Sequence, residues 1–274
     1  RGELGDDDCY VPAGWFHSGG DPHTQDSLPA ARMWCDALVM RRFPVTNAEY
    51  IAFLDDLVDQ GEEEEALRWV VRDRAGKAGE LGNMVYGRRS DGHFELAADA
   101  DGDVWDPRWP VFLISWWAAS AFARWLAGRT GLGWRLPAEL EWEKAARGVD
   151  GRFFPWGDHF DPSWCRMRES AAQGFPCAVD AYPVDVSPFG VRGMAGGSRD
   201  WCGDEYHRGG PLTEGARVLP ADGADQRAVM RGLRGGAWDY VARHTRCANR
   251  LGGLGRVNTR YINCGFRVAR SYEP

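Results

Sequence analysis

Three groups of side chains in this sequence are of types that could do chemistry. Asp200, Glu205 and His207 lie close together, and carboxylates beside an imidazole can pass a proton or hold a metal ion. They flank and follow Trp201 in a polar stretch, where such neighbours are expected to be turn and surface groups. Asp99, Asp101 and Asp103 with Gly102 resemble the opening of a calcium loop. Ala100 and Val104 supply no ligand and no Glu closes the loop, so a polar surface turn is expected instead. Cysteines at 9, 35, 165, 177, 202, 247 and 264 form no CxxC pair. Their odd, scattered placement suits reduced, buried thiols better than a disulfide framework or a zinc site, with one or two bridges left open.

The C-terminal end carries a different kind of signal. Arg234-Gly235-Gly236-Ala237-Trp238 and Cys264-Gly265-Phe266-Arg267-Val268-Ala269 bracket a stretch, Asp239 to Cys264, without Lys, Glu, Gln, Met or Trp. At the frequency of those five types in the whole chain, such a gap arises by chance on the order of once in a hundred. Randomising the adenines of an AAC codon yields Tyr, Asp, His, Thr, Leu, Gly, Val, Ile, Arg, Cys or Asn. It never yields any of the five missing types or a stop. The stretch therefore reads as a surface shuffled between two fixed brackets, although a preference for codons ending in C would produce part of the same skew.

The elements that must carry these residues are legible in the first half. Residues 1 to 45 read as short strands and turns, with Gly19-Gly20-Asp21-Pro22 as a break. Thr46 and Glu49 form a capping box ahead of Tyr50, Phe53, Leu54 and Leu57, which recur on one helical face. The acidic run Glu62 to Glu65 opens a second helix. Ser115 caps a third over Trp116 to Gly128, with Trp117, Ala121, Trp125 and Leu126 as its apolar stripe. Pro137 is placed in the first turn of a fourth, opened by Glu139, Glu141 and Glu143 and ending at Gly148. Beyond residue 150, Gly, Pro and aromatic residues in short runs predict strands and long loops. The class is α+β, one domain over 1–274 without internal repeats.

A chain of 274 residues with 44% apolar residues can bury a full core. Its net charge of -7 argues against nucleic-acid binding. Arginine supplies nearly all the positive charge, which is read as the bias of a GC-rich genome rather than as selection for bidentate pairing. No run approaches the length of a membrane span. Without an initiator Met or a signal-like start, Arg1 is expected to mark a trimmed chain or a domain cut from a longer one. A cytoplasmic location is expected.

Several segments, in order, resemble the formylglycine-generating enzyme (sulfatase-modifying factor) family. They are Phe43-Pro44-Val45-Thr46-Asn47-Ala48-Glu49-Tyr50, then Trp109-Pro110-Val111 with Ser115-Trp116, then Trp134-Arg135-Leu136-Pro137-Ala138-Glu139-Leu140-Glu141-Trp142. Phe154-Pro155-Trp156-Gly157-Asp158, Gly190-Val191-Arg192-Gly193-Met194 and Gly265-Phe266-Arg267 continue the match. The resemblance implies a C-type lectin-like fold, loop-rich, with a small twisted antiparallel sheet and a few helices. It also implies where catalysis would sit. The family's two copper-binding cysteines fall at Tyr240 and Thr245, which cannot supply thiolates. The six histidines show no three-His iron cluster of the related sulfoxide synthases, and Gly197 stands where the family has a calcium-binding Asn. The expectation is therefore no enzyme, no catalytic residue, no cofactor and no metal.

The same brackets resemble the variable proteins of diversity-generating retroelements, which use this fold and end in R-G-G-S-W, a mutable tract and G-F-R. On that resemblance 234–269 is the variable region. Asp239, Tyr240, Val241, His244, Leu251, Gly252, Gly253, Leu254, Val257, Asn258, Thr259, Tyr261, Ile262 and Asn263 are its ligand-binding, mutable positions. Arg243, Arg246, Ala248, Arg250 and Arg260 are framework; Thr245, Asn249, Gly255 and Arg256 stay unassigned. The expected partner is an unknown protein or other macromolecular ligand. Two alternatives remain: a noncatalytic sensory or partner-binding module attached to a bacterial Ser/Thr kinase, or an oxidoreductase related to the formylglycine-generating enzymes.

Overall fold

The structure, a computed structural model, describes residues 4–73, 82–99, 102–171, 174–221, 230–256 and 259–272. In chain order the elements are β1 (Asp8–Val11), β2 (Gly14–Ser18), β3 (Ala31–Cys35), β4 (Leu38–Arg41), α1 (Asn47–Asp59), α2 (Glu63–Trp69), β5 (Tyr86–Arg88), β6 (Phe94–Leu96), α3 (Trp116–Thr130) and α4 (Glu139–Arg147). The second half holds β7 (Arg199–Glu205), β8 (Thr213–Glu214), β9 (Arg217–Val218), β10 (Met230–Arg234), β11 (Arg250–Leu254), β12 (Cys264–Gly265) and β13 (Ala269–Ser271), with single 3-10 turns between them. The α+β expectation stands: helices crowd the first half, and short strands joined by long loops fill the second.

Local chemistry sets the helix starts. At α1 the Thr46 hydroxyl accepts from the Glu49 N–H at 3.3 Å while the Glu49 carboxylate accepts from the Thr46 N–H at 2.8 Å, so the capping box forms. Tyr50, Phe53, Leu54 and Leu57 are buried along its inner face. Ser115 caps α3, and Gly131 ends it in the left-handed region at φ 69. The stripe differs from the expectation except at Ala121, which is buried in the core. Trp116, Ala119 and Phe122 face the core, while Trp117 and Trp125 lie at its edge. Their indole N–H groups explain this, since each needs an acceptor there: Gly255 O at 2.8 Å and an Asp56 carboxylate oxygen at 2.7 Å.

Helix α4 corrects two readings. Pro137 precedes the N-cap, Ala138, which has no side-chain acceptor of its own. Caps arrive from elsewhere: Glu141 accepts the Ala138 N–H at 2.8 Å, and Asp204 of β7 accepts the Glu139 N–H at 2.5 Å. The three acidic residues expected to complement the helix dipole are instead buried partners of arginines. Glu139 takes Arg250 in a fork at 2.7 and 3.0 Å, Glu141 takes Arg135 at 2.7 and 2.8 Å, and Glu143 bridges Arg147 and Arg234, each at 2.8 Å. Arg147, Arg199, Arg231, Arg234, Arg250 and Arg267 are all fully buried. Genomic bias does not explain the pairs on Glu139 and Glu141: a planar guanidinium that forks a buried carboxylate does work a lysine cannot.

Asp204 yields a pH-dependent expectation. Burial, reinforced by the Glu139 charge, raises its carboxyl to about 7. The folded state therefore keeps a proton that the unfolded chain releases near the ordinary Asp value. The contribution to stability is complete at acid pH and disappears as pH climbs through about 7. Asp204→Asn keeps an acceptor for the Glu139 N–H and removes the titration. Its melting temperature relative to the native chain should rise from pH 4.5 to pH 8, and a flat or falling difference would refute the assignment.

Among the described residues, four sheets organise the chain. The central one has the order β11-β10-β7-β12, antiparallel except where β12 runs parallel to β7. The sheet β1-β4-β13 brings the chain's two ends together, β2-β3-β9-β8 flanks it, and β5-β6 is a hairpin. Phe266, Trp201 and Leu233 pack with α1 and α3 in the larger core, and Trp142 of α4 sits in a second core with Leu38 and Met40. All seven cysteines are free; Cys177 is half-buried and the other six are buried.

Candidate functional site

The bracketed C-terminal segment is anchored at both ends. Arg234 ends β10 with its guanidinium on Glu143, and Gly235 turns the chain at φ 84. A Cβ on Gly236 would meet Ala195 O at 2.3 Å, so only glycine passes there. At the far end, a Cβ on Gly265 would meet Val111 O at 2.6 Å. Phe266 packs edge-on to Phe122 at 5.3 Å, and Arg267 pairs with Asp200 at 2.5 Å. The bracket residues Arg234, Gly235, Gly236, Gly265, Phe266 and Arg267 are buried in the core.

Between them, hydrogen bonds tie the segment to itself. Trp238 Nε1 donates to Ile262 O at 3.3 Å, Asn263 Nδ2 donates to both Asp239 carboxylate oxygens at 3.0 and 3.1 Å, and the Leu254 N–H donates to Tyr261 Oη at 3.0 Å. Tyr240 stacks near His244 with ring centroids 4.8 Å apart. Leu254 and Ile262 are exposed; Asp239, Tyr240, Val241, Leu251, Gly252, Thr259 and Tyr261 are partly so. A cleft of 820 Å³ opens beside Trp238 and Ile262, with Trp105, Trp109 and Phe175 on its other walls.

Three positions read as outward-facing are not. His244 and Asn263 are buried, and Gly253 pairs with Arg231 across β10–β11 beneath Trp201. A Cβ on Gly253 would lie 2.7 Å from the Trp201 indole, which is locked in the core. Gly252 is freer, because the atoms nearest its would-be Cβ belong to Tyr206 and the end of Met230. Val257 and Asn258 lie outside the described residues. Among the framework residues, Arg250 and Ala248 are buried, and Arg246 pairs with Asp21 at 2.5 Å over the rings of Phe153 and Phe154. Arg243 is exposed, contrary to a framework role. Of the unassigned positions, Asn249 is fully buried and donates to Gly235 O at 3.3 Å, and buried Thr245 donates to Ala242 O at 2.7 Å. Both belong to the scaffold. Alternation along β11 and the need to bury a polar side chain on a backbone acceptor separate these classes; sequence spacing alone did not.

The other candidate chemistry divides the same way. Asp200 is buried on Arg267 and the Trp142 indole, while Glu205 and His207 face each other at 3.6 Å on the surface. No acid-base group forms from the three. Asp99 accepts from the Asp103 N–H and from Trp105 Nε1, a self-bonded turn; Ala100 and Asp101 lie outside the described residues. Tyr240 is half-buried, and Gly197 adopts φ 81 with its carbonyl accepting the Trp238 N–H at 3.2 Å. None of the described helices is long and apolar enough to cross a membrane.

Comparison with known proteins bears on this geometry. The model of the sulfatase-modifying factor enzyme 1-like domain matches residues 3–272. The serine/threonine-protein kinase Pkn1 of Chlamydia trachomatis is 28% identical over 96% of this chain and 38% of its own length. Hercynine oxygenase of Mycolicibacterium smegmatis is 32% identical over 83% of this chain and 53% of its own. The chain thus spans about two-fifths to half of these relatives. Treponema denticola variable protein 1 shares the fold, with a TM-score of 0.66 at 16% identity over 97% of this chain and 95% of that one. The fold is the expected C-type lectin-like one. The expectation that the chain is no enzyme is corrected: an oxygenase stands among its relatives, so loss of the cysteine pair does not remove it from a partly enzymatic family.

Proposed function

We propose, from the premise that this chain belongs to the sulfatase-modifying factor enzyme 1-like family, that it is a variable protein of a diversity-generating retroelement. Residues 234–269 present a rewritable surface to a protein or other macromolecular ligand. The observation that carries this reading is the contrast between the brackets and the tract. Arg234, Gly236, Gly265 and Phe266 are immobilised by the core, whereas Leu254 and Ile262 are exposed and Asp239, Tyr240, Val241, Leu251, Gly252 and Tyr261 partly so. Exchange at solvent-facing positions usually changes stability by within about 0.5 kcal/mol, so a face of this kind tolerates rewriting. Tyr240, Tyr261 and Trp238 supply amphipathic anchors, and the cleft beside Trp238 has room for a partner's side chain.

The test is genetic. An adenine-rich, near-identical copy of the segment is expected beside a reverse-transcriptase gene, differing from it only at adenines. A locus with neither would end the proposal. A second reading is favoured by the kinase relatives: a partner-binding module on a Ser/Thr kinase. It requires a kinase domain in the same gene or operon and no template copy.

A further inference from the structure

Arg199, the first residue of β7, is 1% exposed, and none of its three guanidinium nitrogens has a hydrogen-bond partner among the described residues. The ring of Tyr240 lies over it, 4.2 Å from the guanidinium carbon to the ring centroid. Such a contact draws the cation to the face of the ring. A ring face offers no oxygen acceptor, so the five N–H donors at the guanidinium edge stay unmet. A buried cation in that condition is costly unless an acceptor reaches the edge.

The neighbours supply none. Asp239 is close enough to act on Arg199, yet it makes no ion pair with it, and both its oxygens accept from Asn263. Cys264 stays a neutral thiol, pushed up to about 12 by burial. His244, on the Tyr240 ring, has a second unpartnered buried nitrogen, Nδ1. Burial, with the charges of Arg199, Arg243 and Arg168, drives its imidazole down to about 4, so it is neutral at neutral pH. Arg199, Arg243 and Arg168 thus all act on the neutral imidazole of His244 beside Tyr240, while the Asp239 carboxylate acts on Arg199.

We propose that the edge of Arg199 is an anion-binding site roofed by Tyr240, and that its occupant is a carboxylate carried by the bound partner. A carboxylate is planar and singly charged, so two parallel N–H···O bonds to one fork satisfy the donors and balance the one unpaired charge. Arg199 lies outside the mutable tract. Whatever stands at 240 therefore sits over the same charge: Tyr roofs it, Gly would open it, and Asp would answer it from within. This use of position 240 rests on the retroelement reading; the anion site itself does not.

Calorimetric titration of the chain with sodium acetate in low-salt buffer tests the site without a partner. Tyr240→Gly should bind acetate at least tenfold more tightly than the native chain, and Tyr240→Phe should match the native chain. Adding Arg199→Met to Tyr240→Gly should abolish saturable binding. Arg199→Lys in the same background keeps the charge but not the fork and should weaken binding about tenfold. Arg199→Met alone removes an unpaired buried charge, so it should unfold at no lower temperature than the native chain. Equal acetate affinity with and without Arg199, or a folded Tyr240→Gly that binds no acetate, would overturn the proposal. A locus without a template would leave these titrations unchanged, so the two failures are distinguishable.

Discussion

Glu143→Ala is expected to destabilise the fold by about 3–5 kcal/mol, the usual consequence of removing one member of a buried ionic group and stranding the rest. Its two oxygens serve Arg147, Arg234 and the Gly19 N–H, each at 2.8 Å, with the carboxylate and both guanidinia shielded from solvent. Truncation would leave buried Arg147 without a carboxylate and Arg234 with only Glu139 at 3.9 Å, where α4, β10 and the Gly19 turn meet. Burial alone would raise the Glu143 carboxyl, but Arg234 and Arg147 outweigh it and hold it below its ordinary value. A group of that kind stabilises the fold above the unfolded-state value near 4.5, and the stabilisation is lost as pH falls through the lower folded value. Thermal unfolding at pH 7 and pH 3 checks both parts. The variant should melt well below the native chain at pH 7, and the gap should narrow in acid. A melting temperature at pH 7 within a degree of native would refute the idea that this triad clamps the scaffold.

The second large effect contrasts the two sides of the C-terminal segment. Phe266→Ala empties a site packed against Tyr50 and Phe122 and should cost about 3–5 kcal/mol. For a chain of this size that lowers the melting temperature by about 10 °C. Leu254→Ser and Ile262→Thr, on exposed side chains of the same segment, should each stay within about 0.5 kcal/mol of native. Gly253→Val gives the intermediate case, because its side chain must displace the Trp201 indole. Chemical denaturation of the four variants would decide the matter. Comparable losses at Leu254, Ile262 and Phe266 would mean that the tract is structural throughout and not a tolerant face.

Much of this was legible from residue order. The capping box at Thr46 and Glu49, the serine cap of α3, and the loss of helical periodicity after residue 150 are local signals. They depend on bonds between near neighbours, which sequence displays directly. The two brackets were legible too, since R-G-G-A-W and G-F-R carry their glycine and aromatic constraints in plain order, as was the family to which the motifs belong. The skew in the tract needed no coordinates.

What only tertiary structure decided is the partnership of charges across long chain separations. Nothing near Glu139, Glu143 or Asp200 in sequence announces that Arg250, Arg234 and Arg267 will meet them in the core. The surplus of arginine therefore read as composition when it was architecture. The same limit applies within β11, where Gly253 belongs to the scaffold because Trp201 lies against it, and Asn249 because Gly235 offers a carbonyl. Burial is a property of what arrives from elsewhere in the chain. Arg199 is the sharpest case: a charged residue whose meaning lies in the acceptor that folding fails to bring to it.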